Sequence, residues 1–301
     1  MCDRHRITAN AEIIRKADPT RTTTLRKQFY SEFYQRYKAL SKKAVTSIVD
    51  NEILHTGLHN NAEIPPGNFD FLTDPQKVQS FLQWLEKELA DDVYELYIYA
   101  DEYPDAVLNG DWWADAYISK AYDKGTSAAS TILSAQLGSE VLETMKNAPL
   151  HLSKVQMLYQ RAFTDLKGIN TTMASRLSQV LADGLVAGQN PKVIARNVVK
   201  QINGIGVYRA KMLSHTEIIR AHAWGTLQTF ELAGLEEVEV QAEFLTAGDF
   251  RVCPKCRPLE GKRYKISEAW NIIPVHPFCR CTWVPYDPVA EKIIGKASYN
   301  A

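Results

Sequence analysis

Long apolar runs are missing from this 301-residue chain, although hydrophobic residues make up 45% of it. No stretch reaches the roughly 20 consecutive apolar residues that a bilayer-spanning helix needs. The opening residues, MCDRHRITANAEIIRKADPT, are charged throughout and lack the apolar core of a secretory signal. Synthesis in a cytosol is the expectation. No internal repeat and no low-complexity segment is present, and the apolar content excludes a predominantly disordered chain or a collagen-like fibre. The length suggests about two domains.

Cysteine is scarce and uneven. Of five, Cys2 stands alone while Cys253, Cys256, Cys279 and Cys281 fall within 29 residues. A disulfide scaffold would spread its cysteines over a small secreted fold, whereas local pairs in a cytosolic chain point to metal.

Net charge is zero, but neither sign is evenly spread. Residues 1–50 hold eleven Lys/Arg against five Asp/Glu, a balance of +6. Residues 51–116 hold two bases and fourteen acids, a balance of −12. The basic part can approach nucleic acid and the acidic part is repelled by it, or faces a basic protein surface. The plainer alternative is a solvated acidic helix face.

Helical periodicity dominates up to about residue 234. Asp18-Pro19 reads as an N-cap with proline at the first helical position. Leu25, Phe29, Phe33, Tyr37, Leu40, Ala44 and Ile48 then recur at three or four residues, predicting one long amphipathic helix. Asp74-Pro75 repeats the device before Val78, Phe81, Leu82, Leu85, Leu89, Val93 and Leu96. Further helices are predicted from about Asp111 to Leu137, up to a C-cap at Gly188, from Pro191, and from about Tyr208 to Leu232. After Gly234 the pattern changes. Glu236–Leu245 alternates like a strand, Lys262–Ile266 and Thr282–Val284 are two more, and six prolines with Gly261 punctuate the stretch. The predicted fold is mainly α: a helical N-terminal region over 1–165, an α+β domain over 166–290, and a short tail over 291–301.

The sequence RVCPKCRPLEGKRY…IPVHPFCRCTWVP sets Cys253-x2-Cys256 before His276-x2-Cys279-x-Cys281. A C-x2-C turn brings two thiolates together, and a second pair from a distant loop completes a tetrahedron. The five residues offer one structural zinc site, with Cys253, Cys256 and Cys279 joined by either His276 or Cys281. Packed thiols or a disulfide are the alternatives. Four protein ligands leave no open position for catalysis, and a small strand-poor end gains from a staple.

His215-Thr216-Glu217 followed by Cys253-x2-Cys256 imitates a zinc deaminase, but the proline falls after the first cysteine and residues 257–261 are unsuited to start the required helix. His215 and His222, seven apart, read as helix-surface histidines. The run from Ile202 to Ala210 has the Gly-x-Gly spacing of a helix–hairpin–helix turn. Lys192, Arg196, Lys200, Arg209 and Lys211 surround it and are candidate phosphate contacts. Trp112, Trp113, Tyr117 and Tyr122 read as core or a partner interface, with Asp111 and Asp115 arguing against nucleic acid there.

From about residue 180 to 287 the chain resembles the phage head-morphogenesis family, minor head proteins similar to protein F of phage Mu. The runs carrying it are LADGLVAGQNPKVIARNVVK, RAKMLSHTEIIRAHAWGTLQTFELAG, RVCPKCRPLEGKRY and VHPFCRCTWVP, in that order. YISKAYDKGTSAA at 117–129 is similar to the family's more variable helical half. His215 stands where relatives commonly have arginine. The resemblance implies a non-enzymatic virion protein, found in the head interior or at the portal vertex. Its implied partners are the portal protein or inner capsid, and some relatives bind DNA. A DNA-binding module or a zinc-dependent nucleic-acid-modifying protein is the alternative.

Overall fold

The computed structural model describes residues 18–49, 83–84, 87–88, 113–137, 149–234 and 240–286. It is mostly helical with a small antiparallel sheet near the C-terminus, as the hydrophobic periodicity predicts. The elements in chain order are α1 (Thr23–Val49), α2 (Asp115–Leu137), α3 (Pro149–Val186), α4 (Pro191–Leu232), β1 (Gln241–Leu245), a 3-10 turn (Arg257–Leu259), β2 (Arg263–Tyr264), α5 (Ile266–Ala269) and β3 (Thr282–Tyr286). No helix among the described residues is long and apolar enough to cross a membrane.

All seven stripe residues of α1, from Leu25 to Ile48, are buried. The helix starts later than the Asp18-Pro19 pair suggests. Asp18 still serves it, because its Oδ2 accepts from the Thr23 amide at 2.8 Å and from the Thr23 hydroxyl at 2.6 Å. A carboxylate there satisfies a donor that the first helical turn leaves open. The expected helix through Val78–Leu96 lies largely outside the described residues, where 83–84 and 87–88 are helical.

Gly188 takes φ +58 just past α3, the left-handed backbone expected of a C-cap. The Gly-x-Gly turn does not form. Helix α4 runs unbroken through Gly204 and Gly206, and tertiary packing accounts for it: a Cβ on residue 206 would press on the Tyr37 ring at 2.8 Å. Glycine here admits an aromatic ring rather than a bend.

The contacts divide the chain into two compact units. One comprises Met1–Phe29, Leu108–Gln160 and Met212–Ala301, and the other Tyr30–Val107 and Arg161–Lys211. In the second, Ser41 donates to the Asn203 side chain, and a Cβ on Gly184 would press on Ile194.

The first unit carries the sheet, in the order β2-β1-β3 with both pairings antiparallel. Leu245 pairs with Thr282 and Gln241 with Tyr286. Phe244 and Trp283 meet edge to face at 5.6 Å, with Tyr264 on the same indole at 5.7 Å. They join Ile219, Ala223, Leu227 and Phe230 of α4 and Ala129 and Leu133 of α2 in one apolar cluster. Truncating a residue such as Trp283 to Ala should cost about 3–5 kcal/mol. Lys154 lies 3.9 Å from the Trp270 ring centre, a cation–π contact. Phe29 stacks on Tyr117 and meets Trp113 edge-on, and Tyr122 is buried, so the described aromatics of that segment are core. Trp112 lies outside the described residues.

Candidate metal centre

Two short loops bring the cysteines together. Leaving β1, the chain turns at Gly248, φ +68, and reaches Asp249. The Asp249 carboxylate accepts from the Arg251 amide and guanidinium, and from both terminal nitrogens of Arg280 at 2.8 and 2.6 Å. Hydrogen bonding from Arg280 holds the Asp249 carboxyl far below the usual range. Arg280 separates Cys279 from Cys281, so this clamp ties the two loops to each other.

Cys253 to Cys256 then form a tight turn. The Cys256 amide donates to the Cys253 carbonyl at 3.1 Å and approaches the Cys253 sulfur at 3.3 Å. The 3-10 turn follows, where Pro258 needs no amide partner. Gly261, φ +72, donates to the Phe244 carbonyl and leads the chain into β2. The segment that follows the knuckle is thereby pinned to the central strand β1 rather than left on a free loop.

The second loop ends in a matching turn from His276 to Cys279, closed by the Cys279 amide on the His276 carbonyl at 3.1 Å. Phe278 has φ +65 within it. The His276 Nδ1 lies 2.6 Å from the Pro277 carbonyl, which can only accept, so Nδ1 carries the proton. The Nε2 lone pair is left facing Cys253 Sγ at 2.9 Å and Cys256 Sγ at 3.1 Å. Cys256 Sγ lies 3.9 Å from Cys279 Sγ.

The donor atoms fall into two groups, Cys253–Cys256–His276 and Cys256–Cys279–Cys281, each mutually within 4.8 Å. Cys256 belongs to both. These four cysteines are unbridged. Hydrogen bonds from the Cys256 and Cys281 thiols push the Cys279 thiol down in pKa, and the two donors are pushed up in turn. Together, Cys253, Cys256, His276 and Cys279 or Cys281 sit close enough to hold a metal ion. Thiolate with imidazole is a donor set suited to zinc.

Behind the cluster stands His215 of α4. Its Nε2 lies 2.7 Å from the Cys279 carbonyl, and Arg26 Nη1 lies against the ring, 2.9 Å from Nε2 and 3.3 Å from Nδ1. Arg26 Nη2 in turn donates to Asp18 at 2.8 Å. Burial first, and then the Arg26 charge, push the His215 pKa down to about 4. Neither histidine behaves as a surface residue. His222 is 2% exposed, deeper than a helix-surface position allows, because α2 covers that side of α4. Glu217 pairs with Arg220 at 3.3 Å, and an α-helix does not follow the C-x2-C turn, so the deaminase pattern is not built.

Residues 175–284 match the family model of Phage Mu protein F like protein. The Mu F-like region takes in the end of α3, all of α4, β1, β2 and α5, and all five cluster residues. It points to phage head morphogenesis, the work of a generally structural family. Searches of curated proteins and of solved structures found no match.

The basic candidates of the Mu F-like region lie apart from the cluster in sequence. Lys192, Arg196, Lys200 and Lys211 are exposed on α4, and Arg209 is half-buried. At about 100° per residue the four exposed bases share one face, and Arg209 falls away from it. Sequence patterns do not mark Asp18, Arg26, His215 or the Asp249–Arg280 clamp as parts of the site. No local spacing signals a partner 189 residues away, as Arg26 is from His215.

Proposed function

We propose that this is a non-enzymatic minor head protein of a tailed phage, docking on the portal or the inner capsid surface during head assembly. The match over 175–284 is the observation that carries this reading. In it, residues 166–290 form the head-morphogenesis module, 1–165 a helical region that meets other head proteins, and 291–301 a tail. One zinc ion, held in the cysteine cluster, acts as a structural staple for the turn-rich end.

Charge polarity supplies the mechanism. The segment 51–116, at −12, suits a basic protein surface. The exposed row Lys192, Arg196 and Lys200 suits the phosphates of the packaged genome. The protein would thus sit in the head interior or at the portal vertex, after synthesis in the host cytoplasm.

Co-sedimentation of the full-length chain with portal rings of the same phage, alongside mass spectrometry of purified heads, tests the proposal. Co-migration and presence in heads are expected. Absence from both, with turnover of a nucleic acid by the purified chain, would replace it with the nucleic-acid-modifying alternative.

A further inference from the structure

We infer that the metal site is made by Cys253, Cys256, His276 and Cys279, and that Cys281 lies outside the coordination sphere. The inference rests on the zinc reading above and assigns its ligands.

The two loops present their donors in the same way. Each is a four-residue turn closed by the amide of its last residue on the carbonyl of its first, at 3.1 Å in both cases. A turn of this kind brings the side chains at its ends near each other, which is how paired ligands are offered to one ion. Cys253 and Cys256 end one turn, and His276 and Cys279 end the other. Cys281 ends neither.

Protonation of the imidazole agrees with the pairing. A ligating histidine ordinarily gives its second ring N–H to a carbonyl or carboxylate, which fixes the tautomer and aims the other nitrogen at the metal. His276 does this with Pro277, and its Nε2 faces two cysteine sulfurs. A site built from four cysteines would leave this prepared nitrogen unused beside them.

Distances point the same way. Zinc–sulfur bonds of about 2.3 Å in a tetrahedron put neighbouring sulfurs about 3.8 Å apart. Cys256 and Cys279, one from each turn, stand at 3.9 Å. The Cys256 amide also approaches the Cys253 sulfur, at 3.3 Å.

Cys281 has a different job. It immediately precedes Thr282, whose pairing with Leu245 begins the β1–β3 ladder, so its backbone is held by the sheet. Like Cys256 and Cys279, it is buried in the apolar cluster with Phe244 and Trp283. Its sulfur shares a group with Cys256 and Cys279, and Cys279 has the same neighbours, so the turn and not proximity separates the two. A buried thiol held by the sheet packs as a small side chain and donates weakly to its neighbours.

The test is zinc content and X-ray absorption at the zinc edge, on the full-length protein purified under reducing conditions, for wild type and Cys281→Ala. About one zinc per chain with a shell of three sulfurs and one nitrogen is expected in both. Cys281→Val serves as a second version should the alanine variant fold poorly. Cys279→Ser and His276→Ala should each lose most of the metal. Loss of zinc from folded Cys281 variants, or an all-sulfur shell in wild type, overturns the ligand assignment and leaves the zinc reading standing. Wild-type protein that stays zinc-free when zinc is supplied overturns the zinc reading itself.

Discussion

Gly125 of α2 lies directly against the backbone of His222 in α4, so close that a Cβ on residue 125 would overlap the His222 carbonyl oxygen. The contact is mirrored at Gly225, where a Cβ would overlap the Tyr122 carbonyl oxygen. Each helix thus uses a glycine to let the other's backbone approach. Thr226 bonds the His222 carbonyl at 3.0 Å inside the same crossing.

Gly125→Ala and Gly225→Ala should therefore be destabilising by about 1–3 kcal/mol or more, because the obstructing atoms are backbone and have no rotamer to adopt. Gly204→Ala is the control. Nothing lies within 4 Å of its Cβ position inside α4, and alanine there should stabilise by about 0.5–1 kcal/mol. Urea midpoints of the three variants check the contrast. Equal effects at positions 125 and 204 would refute the close crossing.

Asp18 should matter above acid pH and not below it. Burial opposes its charge, but Arg26 and the bonds from Thr23 and Thr20 outweigh that and hold its pKa at about 2. A carboxyl depressed from an unfolded value of about 3.9 contributes its stability above that pH and loses it as pH falls toward 2. Asp18→Asn is expected to cost about 2 kcal/mol at neutral pH, with the deficit shrinking between pH 4 and 2. Unfolding curves of both proteins across that range give the answer.

His222 should act in a higher window. Burial pushes its pKa down to about 4, with Asp18 pulling it up and Lys124 and Arg26 pushing it down. Neither ring nitrogen has a hydrogen-bond partner. The unfolded chain takes up this proton near pH 6.5 and the folded one does not, so stability is full above 6.5 and declines toward pH 4. His222→Leu should flatten part of that decline while His215 maintains the rest. An unchanged slope in the variant would show that His222 is hydrated.

Contact with DNA through α4 should be a matter of phosphates. Replacing Lys192, Arg196 and Lys200 by Glu is expected to abolish most binding to duplex DNA of any sequence and to flatten its salt dependence. Arg209→Glu should change it far less, since that side chain lies off the exposed face. Retention assays over a range of salt concentrations separate the two outcomes.

The local devices of this fold are legible in the amino-acid sequence. The Leu25–Ile48 stripe predicts a helix face, and that face is buried at all seven positions. Gly188 marks a C-cap and takes φ +58. The Cys253-x2-Cys256 spacing marks a tight turn, and it forms. The Gly204–Gly206 pair misleads, because glycine reads as a break when nothing shows what packs on it. Here the Tyr37 ring packs on Gly206 and the helix continues.

What the sequence determined by itself is therefore what repeats or closes within a few residues: helix stripes, a C-cap and the Cys253–Cys256 turn, all set by backbone geometry. Which histidine adjoins the cysteine cluster and which is sealed in the core was decided by tertiary structure alone. His215 meets Cys279 and Arg26, and His222 lies under α2, since burial and hydrogen-bond partners depend on segments that arrive from far along the chain.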